Sequence, residues 1–190
     1  MATRTFFALD LDDHVRDRLV DAQQRLDCTS AKVRWVARQQ LHVTLQFLGD
    51  VDDDTIGRVC SLAAEAAVAV EPFDFHVRRI ICVPPGGRMR MFWAGAIDPT
   101  GRLAQLHAGL ADALGQLGFQ RESRGFKPHV TMARIKFANA RGSSDLRAAA
   151  ADLADEDFGT QHAVKLTAYA SRLTPQGPRY TPLATPTLGG

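Results

Sequence analysis

The chain has 190 residues, and its 23 basic and 21 acidic residues leave a formal net charge of only +2 at pH 7. This weak charge argues against a dedicated nucleic-acid-binding protein with a dense basic surface, but it is compatible with a small anionic substrate or an RNA end. The apolar fraction of 45% is ordinary for a protein with a packed core, and the length predicts a single domain over 1–190.

The elements predicted along the first half alternate between strands and amphipathic helices. An aromatic-rich strand over 4–11 precedes a helix over 12–27, which Asp12 or Asp13 caps and whose apolar residues recur at helical spacing. The other predicted elements of this half are strands over 32–36, 41–49, 72–83 and 90–97 and a helix over 52–70.

The second half repeats this alternation. Its predicted elements are a helix over 100–119, a strand over 127–137, a helix over 143–159 and two final strands over 163–173 and 179–188. Ser143 or Ser144 is the expected cap of the last helix. Paired strands between helix–strand units predict an α+β fold with largely antiparallel sheets.

The three cysteines, Cys28, Cys60 and Cys82, are an odd number without a close pair, which predicts reduced, mostly buried thiols rather than a disulfide framework or a zinc site. The apolar run near the start is too short for the core of a signal peptide, and no segment reaches the length of a membrane span. We therefore expect a cytoplasmic protein that does not bind membranes.

The pattern His-Val-Thr-apolar occurs twice, in "LHVTLQFLG" and in "PHVTMAR". Because side chains alternate between the two faces of a strand, His42 and Thr44 share one face, and His129 and Thr131 share one face of the other strand. The apolar residues of both stretches anchor the strands on a core. The histidines and threonines are thereby left facing a cavity or solvent.

A single histidine on a strand is more often structural or exposed than catalytic. Two copies of the same four-residue pattern are hard to explain by chance in a chain with six histidines. None of the other four histidines has a threonine two positions further on. The duplication therefore favours a functional role for the pattern.

Two imidazoles and two hydroxyls suit the cleavage of a phosphodiester without a metal ion. Histidine has an ordinary pKa of about 6.5, so that it accepts a proton when neutral and donates one when charged. One histidine then takes a proton from water, and the other protonates the departing alkoxide, which leaves poorly without a proton. The threonine hydroxyls can donate hydrogen bonds to the phosphate oxygens.

With these residues the chain resembles the 2H phosphoesterase superfamily, and more closely its RNA 2′,3′-cyclic phosphodiesterases, the LigT-like or 2′-5′ RNA ligase family. The resemblance lies in the two H-x-[TS]-x motifs and in the stretches "RTFFALDL", "RWVARQQLHVTL", "FWAGAI" and "YASRLTPQGPRYTPL", and it covers nearly the whole chain. It implies a bilobal α+β fold with pseudo-twofold symmetry. Two antiparallel sheets then face a central cleft with the helices outside, and each lobe contributes one motif.

The resemblance also implies hydrolysis of a terminal RNA 2′,3′-cyclic phosphate to a 2′-phosphate. In the family pattern His42 donates a proton to the leaving O3′ and His129 accepts one from water, although the two nearly symmetric motifs do not distinguish these roles. Arg134 matches the family's phosphate-contacting arginine, and Thr44 and Thr131 are the other predicted phosphate-binding residues. Strict alternation puts Arg134 on the face opposite His129, so a bulge or a side chain reaching round the strand edge is needed.

Neighbours of the two motifs are candidate substrate contacts. Lys127 and Phe126 precede the second motif, and Arg34 and Trp35 precede the first. Trp93 lies in another predicted strand, where we expect a place in the core rather than a role as a stacking platform for a base.

Other functions are compatible with the same residues. A metal site could combine both motif histidines with acids such as Asp10 or Asp52, but no metal-binding motif supports it. A non-catalytic nucleotide-binding module would keep the cleft, and a 2′-5′ RNA ligase or 2′-5′ phosphodiesterase would use the same two histidines. Since no phosphate-cradling glycine loop occurs, we expect no ATP requirement and no cofactor. Since the sequence has no exposed heptads or charged tails, we expect a monomer.

Overall fold

The structure is a computed structural model that describes residues 2–27, 30–120, 125–175 and 177–189. Within these residues, the first half of the chain forms β1 (Ala2–Asp10), α1 (Asp13–Leu26), β2 (Ala31–Trp35), a 3₁₀ turn (Arg38–Gln40), β3 (His42–Asp52), α2 (Asp53–Val68), β4 (Phe73–Val83) and β5 (Met91–Ile97). The second half forms α3 (Arg102–Gly115), β6 (His129–Ala138), α4 (Ala140–Asp152), β7 (Asp157–Ala163), β8 (Thr167–Thr174) and β9 (Gly177–Ala184).

The strands of the described residues join one antiparallel sheet in the order β7-β4-β5-β6-β3-β1-β8-β9, with β2 pairing to β6. This architecture confirms the α+β class. The two predicted sheets are the two halves of this sheet, which meet where Val43 of β3 pairs with Val130 of β6. The junction brings the two motif strands side by side.

Helices cover one face of the sheet and leave the other face open. Along β1, Phe7 and Leu9 point into the hydrophobic core, which they share with buried helix residues such as Leu19 and Leu106. Phe6 points to the opposite face and lines a cavity there. Within the described residues, no helix has the length and apolar character needed to cross a membrane.

Both motif strands carry a bulge directly after the threonine. The pairing of β3 with β1 skips Leu45, so that Leu45 and Gln46 are both buried. The pairing of β6 with β5 skips Met132, so that Met132 and Ala133 are both buried. Two consecutive buried residues reset the alternation, and the next residue returns to the face that carries the histidine and the threonine.

A buried glutamine of α1 supports the bulge of β6 from the core side. The Gln23 amide donates to the backbone carbonyl of Met132 at 3.0 Å and to that of Val36 at 2.9 Å. The Met132 carbonyl also accepts from the Val36 N–H at 2.9 Å. Because a buried carbonyl without a partner costs about 1–3 kcal/mol, these hydrogen bonds stabilise the irregular backbone.

The caps of two helices differ from the predictions. Asp12 occupies the N-cap position of α1, but its side chain makes no capping hydrogen bond. The predicted cap of α4 is wrong, because the helix begins before Ser143 and Ser144. Asn139 is its cap, and its side chain accepts from the Gly142 N–H at 2.8 Å.

The strand β7 is also absent from the prediction, which continues the last helix to residue 159. Phe158, Gln161 and Ala163 of β7 are buried, whereas the residues between them are partly or fully exposed. Pairing with β4 supplies the backbone hydrogen bonds of this strand. A partner distant in the chain therefore decides the conformation of this segment.

Two of the three cysteines lie within the described residues. Cys60 and Cys82 are free and partly buried, and burial raises the pKa of each thiol. Both are therefore neutral thiols at pH 7. Cys28 lies outside the described residues.

We expect Gln23→Met to lower the free energy of unfolding by about 1–3 kcal/mol, because the buried carbonyl of Val36 loses its donor and that of Met132 loses one of two. Urea denaturation measures this change. The matched control is Gln24→Met, since Gln24 is the next residue of α1 and is exposed. Equal stability of the two variants would contradict a role for Gln23 in supporting the bulge.

Candidate active site

The four motif residues lie on the open face of the sheet, on neighbouring strands. The register of β3 and β6 is set by the valine pair between the histidine and the threonine of each motif. In an antiparallel pair the flanking residues also face each other, so His42 lies across from Thr131 and Thr44 lies across from His129. The two motifs form a crossed arrangement.

A backbone carbonyl two residues earlier orients each histidine. The Nδ1–H of His42 donates to the Gln40 carbonyl at 2.7 Å, and the Nδ1–H of His129 donates to the Lys127 carbonyl at 2.7 Å. Because a carbonyl only accepts, Nδ1 carries the hydrogen in both rings, and Nε2 is the atom that gains or loses a proton. The His42 Nε2 lies 3.0 Å from the Thr44 hydroxyl oxygen.

Aromatic rings surround His42. Phe6 stacks on it with ring centroids 5.1 Å apart, and Tyr180 meets it edge-on at 5.6 Å. Burial lowers the pKa of His42, while the Gln40 carbonyl and the Asp10 carboxylate oppose this shift. The neutral imidazole is therefore favoured in the unliganded protein.

Trp93 stacks directly on His129, with ring centroids 3.6 Å apart and 17° between the planes. It is only partly buried and lies on the open face, so the prediction of a core position is wrong. The indole Nε1 is buried and has no hydrogen-bond partner among the described residues. The indole face restricts the orientation of the imidazole and attracts it when it is protonated.

The bulge of β6 returns Arg134 to the side of the sheet that carries His129. Arg134 and Thr131 line a cavity of about 380 Å³ together with His42 and Thr44. The structure thus contains the bulge that a phosphate contact by Arg134 requires. Phe47 stands five residues after His42, just as Arg134 stands five residues after His129. It is 62% exposed and lines the same cavity.

Cationic side chains dominate the polar part of this cavity. Arg4, Arg34 and Arg134 line it, and no carboxylate of the described residues does. Burial raises the pKa of Tyr180 in the same wall, and the charges of Arg134 and Arg4 oppose this shift. The cavity therefore attracts an anion.

Two of the further candidate contacts, Arg34 and Trp35, also line the cavity. Trp35 stacks on Phe92, with ring centroids 6.2 Å apart. Arg34 reaches across to the hairpin of β8 and β9, where a Cβ on Gly177 would lie 3.0 Å from its Nη2 atom. The φ of +133° at Gly177 favours glycine at that position.

The other two candidates do not line the cavity. Phe126 stacks on His107 of α3, with ring centroids 4.0 Å apart, and packs against the core. The side chain of Lys127 is exposed, and the residue contributes its carbonyl to His129.

Sequence reasoning missed several residues of the cavity wall, among them Arg4, Phe47 and Tyr180. For Phe47 a signal was available, because it stands at the same offset from His42 as Arg134 does from His129. Arg4 and Tyr180 come from β1 and β9, far from either motif in the chain, and no local pattern connects them to the site.

Of the two acids of the alternative metal site, Asp10 has hydrogen-bond partners, and Asp52 makes no side-chain capping hydrogen bond. The Asp10 carboxylate accepts from the hydroxyls of Thr167 at 2.8 Å and Tyr169 at 2.7 Å. Asp52 occupies the N-cap position of α2. Within the described ranges, no group of three or more histidine, cysteine, aspartate or glutamate side chains is arranged to hold a metal ion.

Comparison with known families assigns the chain. The LigT-like phosphoesterase family matches residues 9–93 and 97–180, one segment in each half. The chain belongs to this family. Each matched segment contains one histidine–threonine motif, and each supplies strands to both halves of the sheet.

Relatives of the chain share its length. An RNA 2′,3′-cyclic phosphodiesterase of Methanothermobacter thermautotrophicus is 30% identical over 95% of this chain and 96% of its own length. One of Archaeoglobus fulgidus is 31% identical over 95% of this chain and 97% of its own.

Solved structures share the fold over the whole chain. A Thermus thermophilus protein has a TM-score of 0.83 and 28% identity, with 98% of both chains covered. E. coli LigT complexed with 3′-AMP has a TM-score of 0.79 and 26% identity, with 100% of both chains covered. The described residues therefore have the same fold as these solved structures.

We expect Trp93→Leu to lower kcat by about 10–100-fold, because the His129 ring loses the surface that fixes its orientation. The measurement is steady-state kinetics with a nucleoside 2′,3′-cyclic phosphate, which contains the cyclic phosphate in the name of these relatives. Trp93→Phe keeps an aromatic face and is expected to recover most of the rate. A raised KM at unchanged kcat would instead identify Trp93 as a platform for the base.

Proposed function

We propose that the protein hydrolyses the 2′,3′-cyclic phosphate at the 3′ end of RNA to a 2′-phosphate, without a metal ion. The observation that carries this proposal is the crossed pair of histidine–threonine motifs beside a cavity with arginine walls. The relatives named RNA 2′,3′-cyclic phosphodiesterase, and E. coli LigT solved with 3′-AMP, support the same substrate class.

In this proposal His129 accepts a proton from the attacking water and His42 donates a proton to the leaving O3′. The water oxygen bonds to phosphorus as the P–O3′ bond breaks, and each proton moves through an Nε2 atom. Thr44, Thr131 and Arg134 donate hydrogen bonds to the non-bridging oxygens, where negative charge increases in the transition state. Proton exchange with solvent then restores both rings.

The lowered pKa of His42 suits an acid that acts only when substrate is bound. Burial favours the neutral ring in the unliganded protein. A phosphate anion beside the ring favours the charged form and so raises the pKa of His42. Binding of the substrate therefore favours protonation of His42, and this proton is then available for the leaving O3′.

We also infer that residues 1–190 act as a single bilobal domain, because each half supplies one histidine and one threonine to the proposed site. The expected partners are RNA ends or nucleotides that carry a cyclic phosphate. We expect the protein to act as a monomer in the cytoplasm and to need neither ATP nor another cofactor.

We expect His42→Ala and His129→Ala each to slow the reaction by about 10²–10⁴-fold, because each histidine performs a separate proton transfer. The assay uses a short RNA that ends in a 2′,3′-cyclic phosphate, in excess chelator, and identifies the position of the product phosphate. His14→Ala is the matched control, since His14 is an exposed histidine on α1.

Full activity of either motif variant would contradict the two-histidine mechanism. Loss of wild-type activity in chelator would contradict the absence of a metal ion. Joining of the RNA to a 5′-hydroxyl strand, in preference to hydrolysis, would identify the protein as a 2′-5′ RNA ligase.

The pH dependence of the residual rates assigns the two roles. The wild-type kcat/KM should rise and then fall with pH, because the active pair carries one proton. His129→Ala keeps the donor alone, so its rate should only fall as pH rises, with a midpoint below 6.5 because burial lowers the pKa of His42. His42→Ala keeps the acceptor alone, so its rate should only rise. The opposite pattern would exchange the two roles.

A further inference from the structure

We propose that a surface formed by β2 and the end of β6 binds the single-stranded RNA that precedes the reacting nucleotide. This inference rests on the proposed function. We call this surface the β2–β6 strip and define it by four side chains: Lys32, Arg34, Arg134 and Phe137. It extends the site from one nucleotide to a segment of RNA chain.

The register of the two strands places these side chains on one face. Arg34 pairs with Arg134, and Lys32 pairs with Phe137. Lys32 and Arg34 are two residues apart on β2 and therefore share a face. On β6 the pairing skips Lys136, and this bulge turns Phe137 to the face of Arg134.

The burial of the two faces agrees with this assignment. Val33 and Ile135 lie on the opposite face and pack against the core. Lys32, Arg34 and Arg134 are exposed, and Phe137 is 58% exposed. More than half of the Phe137 side chain is therefore exposed to solvent on the same face as these cations.

Within the part of the chain that the structure describes, the cations of the strip have no ion-pair partner. Arg34 and Arg134 are direct cross-strand partners, and like charges in that position destabilise a sheet. Among the described residues, no carboxylate forms an ion pair with either of them, and Arg134 Nη1 contacts Met91 Sδ at 3.7 Å. A bound polyanion would offset this repulsion.

The strip begins inside the candidate active site. Arg34 and Arg134 line the cavity that holds His42 and the two threonines. Lys32 and Phe137 lie two cross-strand pairs further along, beyond Val33 and Ile135, a step of about 7 Å at the usual rise per residue. An RNA chain that leaves the cavity between the two arginines therefore meets a cation and an aromatic ring next.

Single-stranded RNA is the partner that this chemistry fits. Proteins bind such strands with a positively charged track for the phosphates and exposed aromatic rings on which bases stack, whatever the sequence. An acidic peptide would use the cations but would gain little from an isolated exposed ring. The strip therefore predicts a preference for RNA that is longer than one nucleotide, without strong base specificity.

The test compares a nucleoside 2′,3′-cyclic monophosphate with a single-stranded RNA of roughly eight nucleotides that ends in the same group, a length within the usual range of such sites. Phe137→Ala should raise KM for the longer RNA by roughly 5–100-fold, as expected for loss of one stacked base. Lys32→Ala should raise the same KM and reduce the slope of log affinity against log salt by about 0.7. Both variants should cleave the mononucleotide like the wild type.

Two control variants test whether the aromatic ring and the position of the lysine are what matter. Phe137→Tyr keeps the ring and should retain the wild-type KM for the longer RNA. Lys165→Ala removes an exposed lysine outside the strip and should change neither KM. Because the Phe137 side chain lies largely in solvent, its truncation should leave the folded state intact, which the mononucleotide rate verifies directly.

Each outcome separates this inference from the proposed function. Unchanged KM for the longer RNA in both strip variants would overturn the strip while leaving the function in place. If the wild type cleaves neither substrate, the proposed function fails. Fluorescence anisotropy with the unphosphorylated RNA then decides the strip: weaker binding by Phe137→Ala supports it, and equal binding overturns it. An acidic peptide that binds more tightly than RNA, with loss in Lys32→Ala, would overturn the RNA assignment.

Discussion

The pairing of β3 with β6 is the contact on which the candidate active site depends. Val43 and Val130 form the register pair between these strands, and this pair joins the two halves of the sheet. Both valines are fully buried, so a shift of one residue would expose them and turn the histidines into the core. The hydrophobic core thus fixes the register, and the register sets each histidine across from the threonine of the other half.

The bulge after each threonine adds a further residue to the open face. Leu45 and Gln46 in one half, and Met132 and Ala133 in the other, bury two residues in succession. This local irregularity is what allows a histidine, a threonine and a third side chain to point the same way. In β6 this backbone is supported from the core side, where the Gln23 side chain of α1 donates to the Met132 carbonyl. The packing of α1 against the sheet therefore supports the backbone between Thr131 and Arg134.

The two halves of the sheet have the same backbone arrangement around their histidines but different neighbouring side chains. Both histidines donate Nδ1–H to the carbonyl two residues earlier, so their basic atoms are equivalent. Their surroundings are not: His42 lies among Phe6 and Tyr180, whereas His129 lies against Trp93. The third side chain is Phe47 in one half and Arg134 in the other. The candidate site therefore has an aromatic side chain in one half and a cationic side chain in the other.

The sequence by itself determined the α+β class, most of the strands and helices, and the pairing of each histidine with its threonine, because these follow from patterns within a few residues. Only the tertiary structure decided the position of β7, the stacking of Trp93 and the return of Arg134 to the open face. Strand β7 pairs with β4, and Gln23 of α1 and the backbone of Val36 support the bulge at Met132. Periodicity reports which residues share a face of one strand. Which strands meet, and where their register slips, depends on contacts between residues that are distant in the chain.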